Sequence, residues 1–241
     1  MTWGGSAEWW LAELTQDPTY REVVEPLVVA VSAARPGDRI LDVGCGDGRI
    51  MAALGRVGAR PVGCDADLDL LRIARSRGPV IRCRLPELGW APSEGFDGAV
   101  VSLVVEHIPD LGRLFGELHR VVRPGGTLGV VMNHPVFTAP GSAPVIDTDG
   151  EVLWRVGTYL EVGYTDQPAG RGMVRFHHRP LGVLLGTAAE AGWTLEAMEE
   201  RGVSRDQIDR VPTLAGQEHI PRLAGFRWRR GSPSGAVPGS R

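Results

Sequence analysis

Short apolar runs alternate with amphipathic segments along the first half of the chain. Runs rich in Val, Ile and Leu are typical of buried parallel strands, and the segments between them carry apolar residues at helical spacing. The predicted strands are residues 39–43, 60–64, 79–83, 97–103 and 126–132, and the predicted helices are residues 47–57, 67–76 and 110–122. This alternation predicts βαβ units and a parallel sheet.

The alternation stops after residue 133. Residues 134–170 are rich in Pro, Gly, Asp and Thr around aromatic residues, which favours a lid over a disordered loop. A strand, a helix and a strand are then predicted at 171–178, 180–191 and 194–199, with an insertion at 202–218 before a last strand near 223–230. We therefore expect an α/β fold with a Rossmann-like, seven-stranded, mostly parallel sheet, helices on both faces, N-terminal helices and a lid insertion after the fifth strand.

The composition narrows the class of partner. The 241 residues include 26 basic and 29 acidic ones, a formal net charge of −3 without a basic block, which argues against nucleic-acid binding. No apolar stretch approaches the roughly 20 residues that span a bilayer, so no membrane partner is expected. Three cysteines without C-x-x-C spacing favour a reducing compartment and predict neither disulfides nor a metal site. We expect a cytoplasmic protein with a small-molecule partner, either a monomer or a homodimer.

Three glycines stand at every second position directly after the first predicted strand, in RILDVGCGDGRI. Gly44, Gly46 and Gly48 keep side chains out of the turn, so a ligand can approach the backbone there. Dinucleotide-binding turns have the spacing G-x-G-x-x-G, whereas this turn has G-x-G-x-G with Asp42 two residues before the first glycine. The spacing argues against a nicotinamide-dependent oxidoreductase and leaves two alternatives, a nucleoside cofactor or a tight turn without a ligand.

Asp65 ends the second predicted strand, in VGCDAD, where a carboxylate can accept both hydroxyls of a ribose. With this aspartate, ILDVGCGDG resembles motif I of the class I S-adenosylmethionine-dependent methyltransferases. FDGAVVSLVVEHIPD and LFGELHRVVRPGGTLGVVM resemble the fourth strand, its helix and the turn into the fifth strand of that family. The subgroup they resemble is the type 11 branch, which acts mostly on small molecules and lipophilic metabolites. The resemblance runs from about Trp9 to Trp228 and is looser after residue 133.

The resemblance implies S-adenosyl-L-methionine as the cofactor and S-adenosyl-L-homocysteine as its product. The cofactor contacts that it implies are Tyr20, Asp42, Gly44, Cys45, Gly46, Asp65, Ala66, Leu85, Pro86, Ser102 and Leu103. The family usually has an acidic residue after the third strand that hydrogen-bonds the adenine amino group. Arg84, Leu85 and Pro86 align there in this chain, with Glu87 as a substitute if the alignment shifts. Adenine recognition is therefore expected to rest on backbone groups and apolar packing.

Three histidines are candidate catalytic residues. His107 follows the fourth predicted strand, and an imidazole with a pKa near 6.5 suits a general base for an acceptor hydroxyl or amine. The alternative is that His107 only shapes the turn. His177 and His178 end a predicted strand just before Pro180, so only one of them is expected to face the site. Either could take a proton or orient the acceptor, and a role in packing or helix entry is the alternative.

The candidate acceptor-binding residues are Trp10, His134, Trp154, Tyr159 and Tyr164. Most are aromatic, and small-molecule pockets are mostly apolar with a few placed polar groups. By resemblance, the N-terminal helices that carry Trp9 and Trp10 fold over the cofactor cleft, although core packing would use the same residues. A lid that packs on itself would likewise use the aromatic residues of the insertion.

Together, these observations predict transfer of a methyl group to an oxygen or nitrogen of a small acceptor, with secondary metabolism as the favoured setting. The alternative is a protein of this fold that has lost methyl transfer and either binds a partner protein or catalyses another reaction such as cyclisation. One domain, residues 1–230, is expected to comprise N-terminal helices (7–34), a cofactor-binding core (37–133), a lid or acceptor region (134–170) and C-terminal strands and a helix (171–230), before a disordered tail at 231–241.

Overall fold

The structure, a computed structural model, describes residues 11–12, 18–169 and 172–231. Three expectations lie outside these ranges: the placement of Trp9 and Trp10, the first predicted helix apart from residues 11–12, and the tail after residue 231. No helix within the described ranges has the length and apolar character needed to cross a lipid bilayer.

Eleven strands occur in the described part of the chain. They are β1 (Arg39–Val43), β2 (Arg60–Asp65), β3 (Val80–Arg82), β4 (Phe96–Ser102), β5 (Val122–Asn133), β6 (Ala143–Ile146), β7 (Val152–Arg155), β8 (Gly163–Ala169), β9 (Gly172–His178), β10 (Trp193–Arg201) and β11 (Leu223–Arg230). Seven of them form one sheet in the order β3–β2–β1–β4–β5–β11–β10. The pairs from β3 to β5 are parallel, and β11 runs antiparallel to both of its neighbours. The predicted seven-stranded, mostly parallel sheet is confirmed.

Helices cover both faces of this sheet. They are α1 (Glu25–Ser32), α2 (Arg49–Arg56), α3 (Leu68–Ala74), α4 (Leu111–Val121), α5 (Pro135–Thr138), α6 (Leu181–Glu190) and α7 (Arg205–Arg210). A π-helical turn, Tyr20–Val24, runs directly into α1, and short 3₁₀ turns occupy Val105–His107 and Pro212–Leu214. The apolar sides of α1 and α2 pack on one face of the sheet, whereas α4 and α6 pack on the other. Strands buried on both faces explain the continuous apolar runs in their sequences.

The region after β5 is more regular than a loop. A hairpin of β6 and β7 occupies its first part, and β8 then pairs with β9 in a second two-stranded sheet. The strand predicted at residues 171–178 therefore exists as β9, but it joins this hairpin and not the central sheet. Both hairpins lie in the chain between β5 and β10, so they are inserted at the carboxyl end of β5.

Candidate functional site

The strand order reverses between β1 and β4, because β1 continues to β2 on one side while β4 and β5 lie on the other. In an open α/β sheet such a reversal leaves a crevice at the carboxyl ends of the strands, where ligands bind. The glycine turn after β1, the carboxylate that ends β2 and the His107 turn after β4 all lie at this edge.

The glycine turn needs backbone conformations that favour glycine. Gly44, Gly46 and Gly48 have φ angles of +73°, +53° and +85°, which lie in the left-handed region. A Cβ atom on Gly44 would lie 2.5 Å from Cγ2 of Val104, so the loop after β4 also leaves no room for a side chain. The amides of Gly44 and Cys45 both donate to the Cys64 carbonyl oxygen, at 2.8 and 3.0 Å. The turn is thereby fixed to β2 on one side and to the loop after β4 on the other.

Asp65 connects this turn to the helix that follows β2. Its Oδ2 accepts the Gly46 amide N–H at 2.9 Å, and its Oδ1 accepts the Asp67 amide N–H at 2.9 Å. Asp67 in turn caps α3 by accepting the amide N–H groups of Asp69 and Leu70. Burial raises the pKa of the Asp65 carboxyl, and its backbone hydrogen bonds oppose that rise. The carboxylate is therefore held in one orientation at the mouth of the crevice.

Asp42 is a buried acid with an unsatisfied oxygen. Its residue is 1% exposed, and its Oδ2 has no hydrogen-bond partner among the described residues. Burial, followed by the nearby charges of Asp65 and Asp47, raises the pKa of Asp42 to about 8. Tyr20 lies beside Asp42 and Ser102, and its own pKa is raised mainly by burial. A buried polar group without a partner is costly, so this position favours a ligand that donates a hydrogen bond or carries positive charge.

The acidic character of this side of the crevice is only partly balanced. Arg49 and Arg77 both pair with Asp47, at 2.9 and 3.3 Å, which leaves Asp42 and Asp65 to face a ligand. A cofactor with a sulfonium, an ammonium and a ribose therefore fits these residues, because the Asp65 carboxylate, the Asp42 carboxyl group and a turn of left-handed glycines meet there, and a bound positive charge favours ionisation of Asp42. The fit rests on charge and on the unsatisfied Asp42 oxygen.

The position aligned with the family's adenine-binding acid has no carboxylate. Arg84 is exposed, and Leu85 and Pro86 are half-buried apolar residues. The carboxylate of Glu87 pairs with Arg113 at 2.8 Å. Apolar side chains and backbone groups are thus what the described chain offers to a purine here.

The three cysteines lie together beside the cofactor edge. Cys45 and Cys64 are buried, Cys83 is partly buried, and all three are free thiols. A hydrogen bond joins the thiols of Cys64, in β2, and Cys83, directly after β3, and burial raises the pKa of Cys45. Within the described ranges, no group of three or more His, Cys, Asp or Glu side chains is arranged to hold a metal ion.

His107 occupies the 3₁₀ turn after β4. Its Nδ1 lies 3.0 Å from the Arg175 carbonyl oxygen, which can only accept a hydrogen bond, so Nδ1 carries the proton in this contact. The edge of the ring contacts Phe176, with a centroid distance of 4.6 Å. Burial lowers the pKa of His107, although the bond to the carbonyl opposes this. The imidazole is therefore neutral at pH 7, with its lone pair on Nε2.

The other two candidate histidines point to opposite faces of β9, as strand alternation requires. His178 is buried, and its Nε2 lies 2.8 Å from the Tyr159 carbonyl oxygen. His177 pairs across the hairpin with Tyr164 and is half-buried. Its pKa is lowered by burial and then by the charges of Arg179, Arg175 and His107. His177 shares a face of the hairpin with Tyr164, whereas His178 shares the other face with Phe176, which packs against His107.

The described acceptor candidates lie at four places: His134 directly before α5, Trp154 on β7, Tyr159 between the two hairpins and Tyr164 on β8. His134 caps α5 by accepting the Val136 amide N–H, and its Nε2 lies 2.9 Å from a Glu200 carboxylate oxygen. Trp154 of β7 stacks on Phe137 with a centroid distance of 5.4 Å and donates its indole N–H to the Val136 carbonyl. The two Trp154 contacts hold the first hairpin, β6 and β7, against α5.

The two tyrosines have different surroundings. The hydroxyl oxygen of Tyr159 accepts the Leu181 amide N–H at 3.2 Å, at the start of α6. Tyr164 is 55% exposed, and the Arg175 guanidinium lies 3.7 Å from its ring centroid. Tyr164 therefore lies on the outer side of its hairpin, whereas Tyr159 joins the hairpin region to a helix.

Sequence reasoning did not single out Glu106, Asn133 or Arg179. Glu106 is 2% exposed and accepts both the backbone and the side-chain N–H of Asn133, at 2.7 and 3.0 Å. An acidic residue directly after the apolar run VVSLVV was the available signal, because charged residues are rarely buried without partners. Arg179, directly after β9, contacts the same turn, and no local sequence pattern indicates this contact.

Comparisons with known proteins agree with this geometry. The type 11 family model described as a methyltransferase domain matches residues 41–130. The ubiquinone biosynthesis O-methyltransferase of Hahella chejuensis is 35% identical over 130 residues, which are 50% of this chain and 54% of that protein. The chain thus spans about half the length of this curated relative.

Solved structures match over more of the chain. The S-adenosylmethionine-dependent methyltransferase of Mesorhizobium loti is 29% identical with a TM-score of 0.76, covering 90% of this chain and 100% of that one. The [4+2]-cyclase SpnF, at 20% identity and a TM-score of 0.55 over 87% of this chain and 81% of its own, shares the fold. Residues 41–130 thus match a methyltransferase domain, and the glycine turn, the oriented Asp65 and the strand order agree with the fold and cofactor chemistry of class I S-adenosylmethionine-dependent methyltransferases.

Proposed function

We propose that the protein transfers a methyl group from S-adenosylmethionine to an oxygen of a small-molecule acceptor. The observation that carries the proposal is the joint placement of Asp42, Asp65 and the glycine turn at the point where the strand order reverses. Asp65 is positioned to accept ribose hydroxyls, and the unsatisfied oxygen of Asp42 favours the positively charged end of the cofactor. The bound cofactor supplies an electrophilic methyl group on its sulfonium.

The residues after β4 suit the acceptor half of the reaction. His107 is neutral, and the Arg175 carbonyl keeps the proton on Nδ1, so Nε2 can take the proton of an acceptor hydroxyl. The chain's own contribution is to hold the acceptor oxygen in line with the methyl group, to exclude water and to remove this proton. His177, which lies across the hairpin from Tyr164, is the second candidate for contact with the acceptor.

The relatives and the aromatic side chains near the hairpins support an aromatic acceptor. The named relative acts in ubiquinone biosynthesis as an O-methyltransferase, which favours oxygen over nitrogen and a phenolic acceptor. Trp154, Tyr159 and His134 give the hairpin region an aromatic and weakly polar character that suits such a ring. A role in secondary metabolism and a cytoplasmic location complete the proposal, the latter supported by three free thiols.

The proposal is tested by measuring S-adenosylhomocysteine formation with a panel of phenols, catechols and aromatic amines. We expect turnover with a hydroxylated aromatic acceptor and a loss of about 10² to 10⁴-fold in kcat for His107→Gln. Wild-type activity should decline toward acid pH, with the acid limb below the ordinary histidine range because burial lowers the pKa of His107. Turnover that requires an amine would contradict the proposed oxygen acceptor. Unchanged turnover in His107→Gln would contradict the proposed role of His107 as the base. A Ser93→Ala variant, which changes an exposed loop residue outside the crevice, serves as the matched control.

A second candidate function is catalysis without methyl transfer. The position aligned with the adenine-binding acid has no carboxylate, and a cyclase shares this fold. Under this alternative, the protein would bind a cofactor or its product and convert an acceptor without forming S-adenosylhomocysteine. Mass analysis of the same reactions separates the two, because a methylated product gains 14 mass units and a cyclised isomer gains none.

A further inference from the structure

One guanidinium from the β8–β9 hairpin binds the turn that carries His107. Arg179, directly after β9, donates to the carbonyl oxygens of Val105 at 3.4 Å, Ile108 at 2.5 Å and Pro109 at 2.9 Å. These carbonyls lie on both sides of His107 in the sequence. Arginine presents five N–H donors in a rigid fork, so a single side chain can bind several carbonyls at once.

The charge of Arg179 is matched locally. The guanidinium is partly buried, which lowers its pKa, while the carboxylates of Glu106 and Asp110 oppose that shift. Glu106 is itself held by the backbone and side-chain N–H groups of Asn133 at the end of β5. Arg179 and Glu106 thus fix the turn from the hairpin and from the central sheet, respectively.

The hairpin also reaches the imidazole. The Arg175 carbonyl of β9 lies 3.0 Å from His107 Nδ1, and Phe176 packs against the ring. The other titratable or charged groups around this turn are Glu106 and Asp110 on its own segment, and Arg175 and His177 on β9. The tautomer of His107 therefore depends on how closely the turn is held against β9.

We propose that Arg179 is a positioning residue, which fixes the His107 turn against β9 so that the Arg175 carbonyl keeps the proton on Nδ1 and the lone pair on Nε2. The inference rests on the proposed function of His107 as the base. The hairpin and the base then form one unit, and the acceptor meets a correctly oriented imidazole only when the hairpin lies on the turn.

The tautomer can be read directly by long-range ¹H–¹⁵N NMR of the imidazole rings in the full chain, with His107→Gln to assign the signals. We expect wild-type His107 to be an Nδ1–H tautomer and Arg179→Gln to show a mixture of both tautomers. With the acceptor identified as above, kcat is expected to fall about 10-fold or more and the acid limb of its pH profile to move, while the KM for the cofactor stays within twofold. Arg179→Lys keeps the charge, but its single ammonium nitrogen cannot take the places of the two guanidinium nitrogens that bind these carbonyls, so it should resemble Arg179→Gln.

Arg60→Gln is the matched control, because Arg60 also donates to a carbonyl, that of Gly37, at the opposite end of the sheet. It should leave the His107 tautomer unchanged. An unchanged Nδ1–H tautomer in both Arg179 variants, together with a wild-type pH profile, would overturn the inference. If Arg179→Gln does not fold, the His107 tautomer in Arg179→Lys tests the inference in the same way. The NMR result does not require turnover, so it is independent of whether the methyl-transfer proposal holds.

Discussion

The Oδ2 of Asp65 accepts the amide N–H of Gly46 at 2.9 Å, so the carboxylate that ends β2 is bonded to the glycine turn that follows β1. The same carboxylate is the group proposed to bind the ribose. The proposed recognition of the ribose and the observed shape of the turn therefore share one side chain.

Asp65→Ala should lower the affinity for both S-adenosylmethionine and S-adenosylhomocysteine at least 100-fold. The variant removes a charge-assisted acceptor and also frees the Gly46 and Asp67 amides. Isothermal titration measures this, with Asp149→Ala, an exposed acid in a hairpin turn, as the control. The cofactor affinity of Asp65→Asn should lie between those of the wild type and Asp65→Ala, because the amide oxygen of Asn can still accept one hydrogen bond. Wild-type affinity in Asp65→Ala would mean that the ribose lies elsewhere.

Gly44→Ala should destabilise the protein and weaken cofactor binding. The residue has a φ of +73°, and an added Cβ would approach Val104 Cγ2 to 2.5 Å. Gly125→Ala is the matched control for backbone strain alone. Gly125 has a φ of +72°, and nothing lies within 4 Å of the added Cβ. We expect about 1–2 kcal/mol of destabilisation for Gly125→Ala from backbone strain alone, and more for Gly44→Ala.

Denaturant unfolding measures the loss of unfolding free energy in both Gly44→Ala and Gly125→Ala. A Gly44→Ala/Val104→Ala double variant should recover part of the difference, because the second change removes the atoms that clash. Equal destabilisation by the two single glycine variants would mean that the loop after β4 moves away at no cost.

Stability should decrease between pH 3.8 and about 8 because of Asp42. Its pKa is raised in the folded protein, so in this range the folded state keeps a proton that the unfolded chain has released, and rising pH favours unfolding. Asp42→Asn should flatten this slope and, at pH 8, stabilise the ligand-free protein by at least about 1.4 kcal/mol, the equivalent of one pKa unit. Thermal melts from pH 5 to pH 9 test this, with Asp149→Asn as the control.

Binding of the cationic cofactor should release a proton from Asp42 at pH 7. A nearby positive charge favours the carboxylate and lowers its pKa. Isothermal titration in two buffers of different ionisation enthalpy counts the protons released, and we expect a value between zero and one. Asp42→Asn should bind more weakly and release none. Proton release that persists in Asp42→Asn would assign it to another group.

Trp154→Ala should loosen the β6–β7 hairpin without changing cofactor affinity. The indole stacks on Phe137 and donates to the Val136 carbonyl, so its loss removes the link to α5. Faster amide hydrogen exchange in β6 and β7 is expected, with exchange in β1 and β4 unchanged. Trp154→Phe keeps the ring contact and should show a smaller effect. Unchanged exchange in Trp154→Ala would show that other contacts hold the hairpin.

The central sheet was accessible from the sequence because its strands are buried on both faces. Ile40, Leu41 and Val43 form an uninterrupted apolar run, and the bounds of β1 agree with the prediction. The glycine turn was equally readable, since its φ angles require glycine at alternate positions. Local signals of this kind suffice for elements whose conformation and burial depend on their own residues.

The acceptor side was less accessible because its contacts are distant in sequence. The partner of β9 is β8, GYTDQPA, whose polar residues and proline give no apolar alternation. The bonds from Arg179 to the His107 turn join residues separated by about seventy positions, and nothing local to either end indicates them. Strand pairing and hydrogen bonds between distant residues are tertiary contacts. A short stretch of sequence therefore carries no pattern that predicts them.

The antiparallel strand β11 also determines when the fold can be completed. It fills the gap between β5 and β10 and carries Phe226 and Trp228 into the core, yet residues 134–222 separate it from β5. On a ribosome, β1 to β5 emerge first and can pair with one another, while β5 remains an open apolar edge until the last strand has been made. The nascent protein therefore exposes this apolar strand edge throughout synthesis of the two hairpins that are proposed to receive its acceptor.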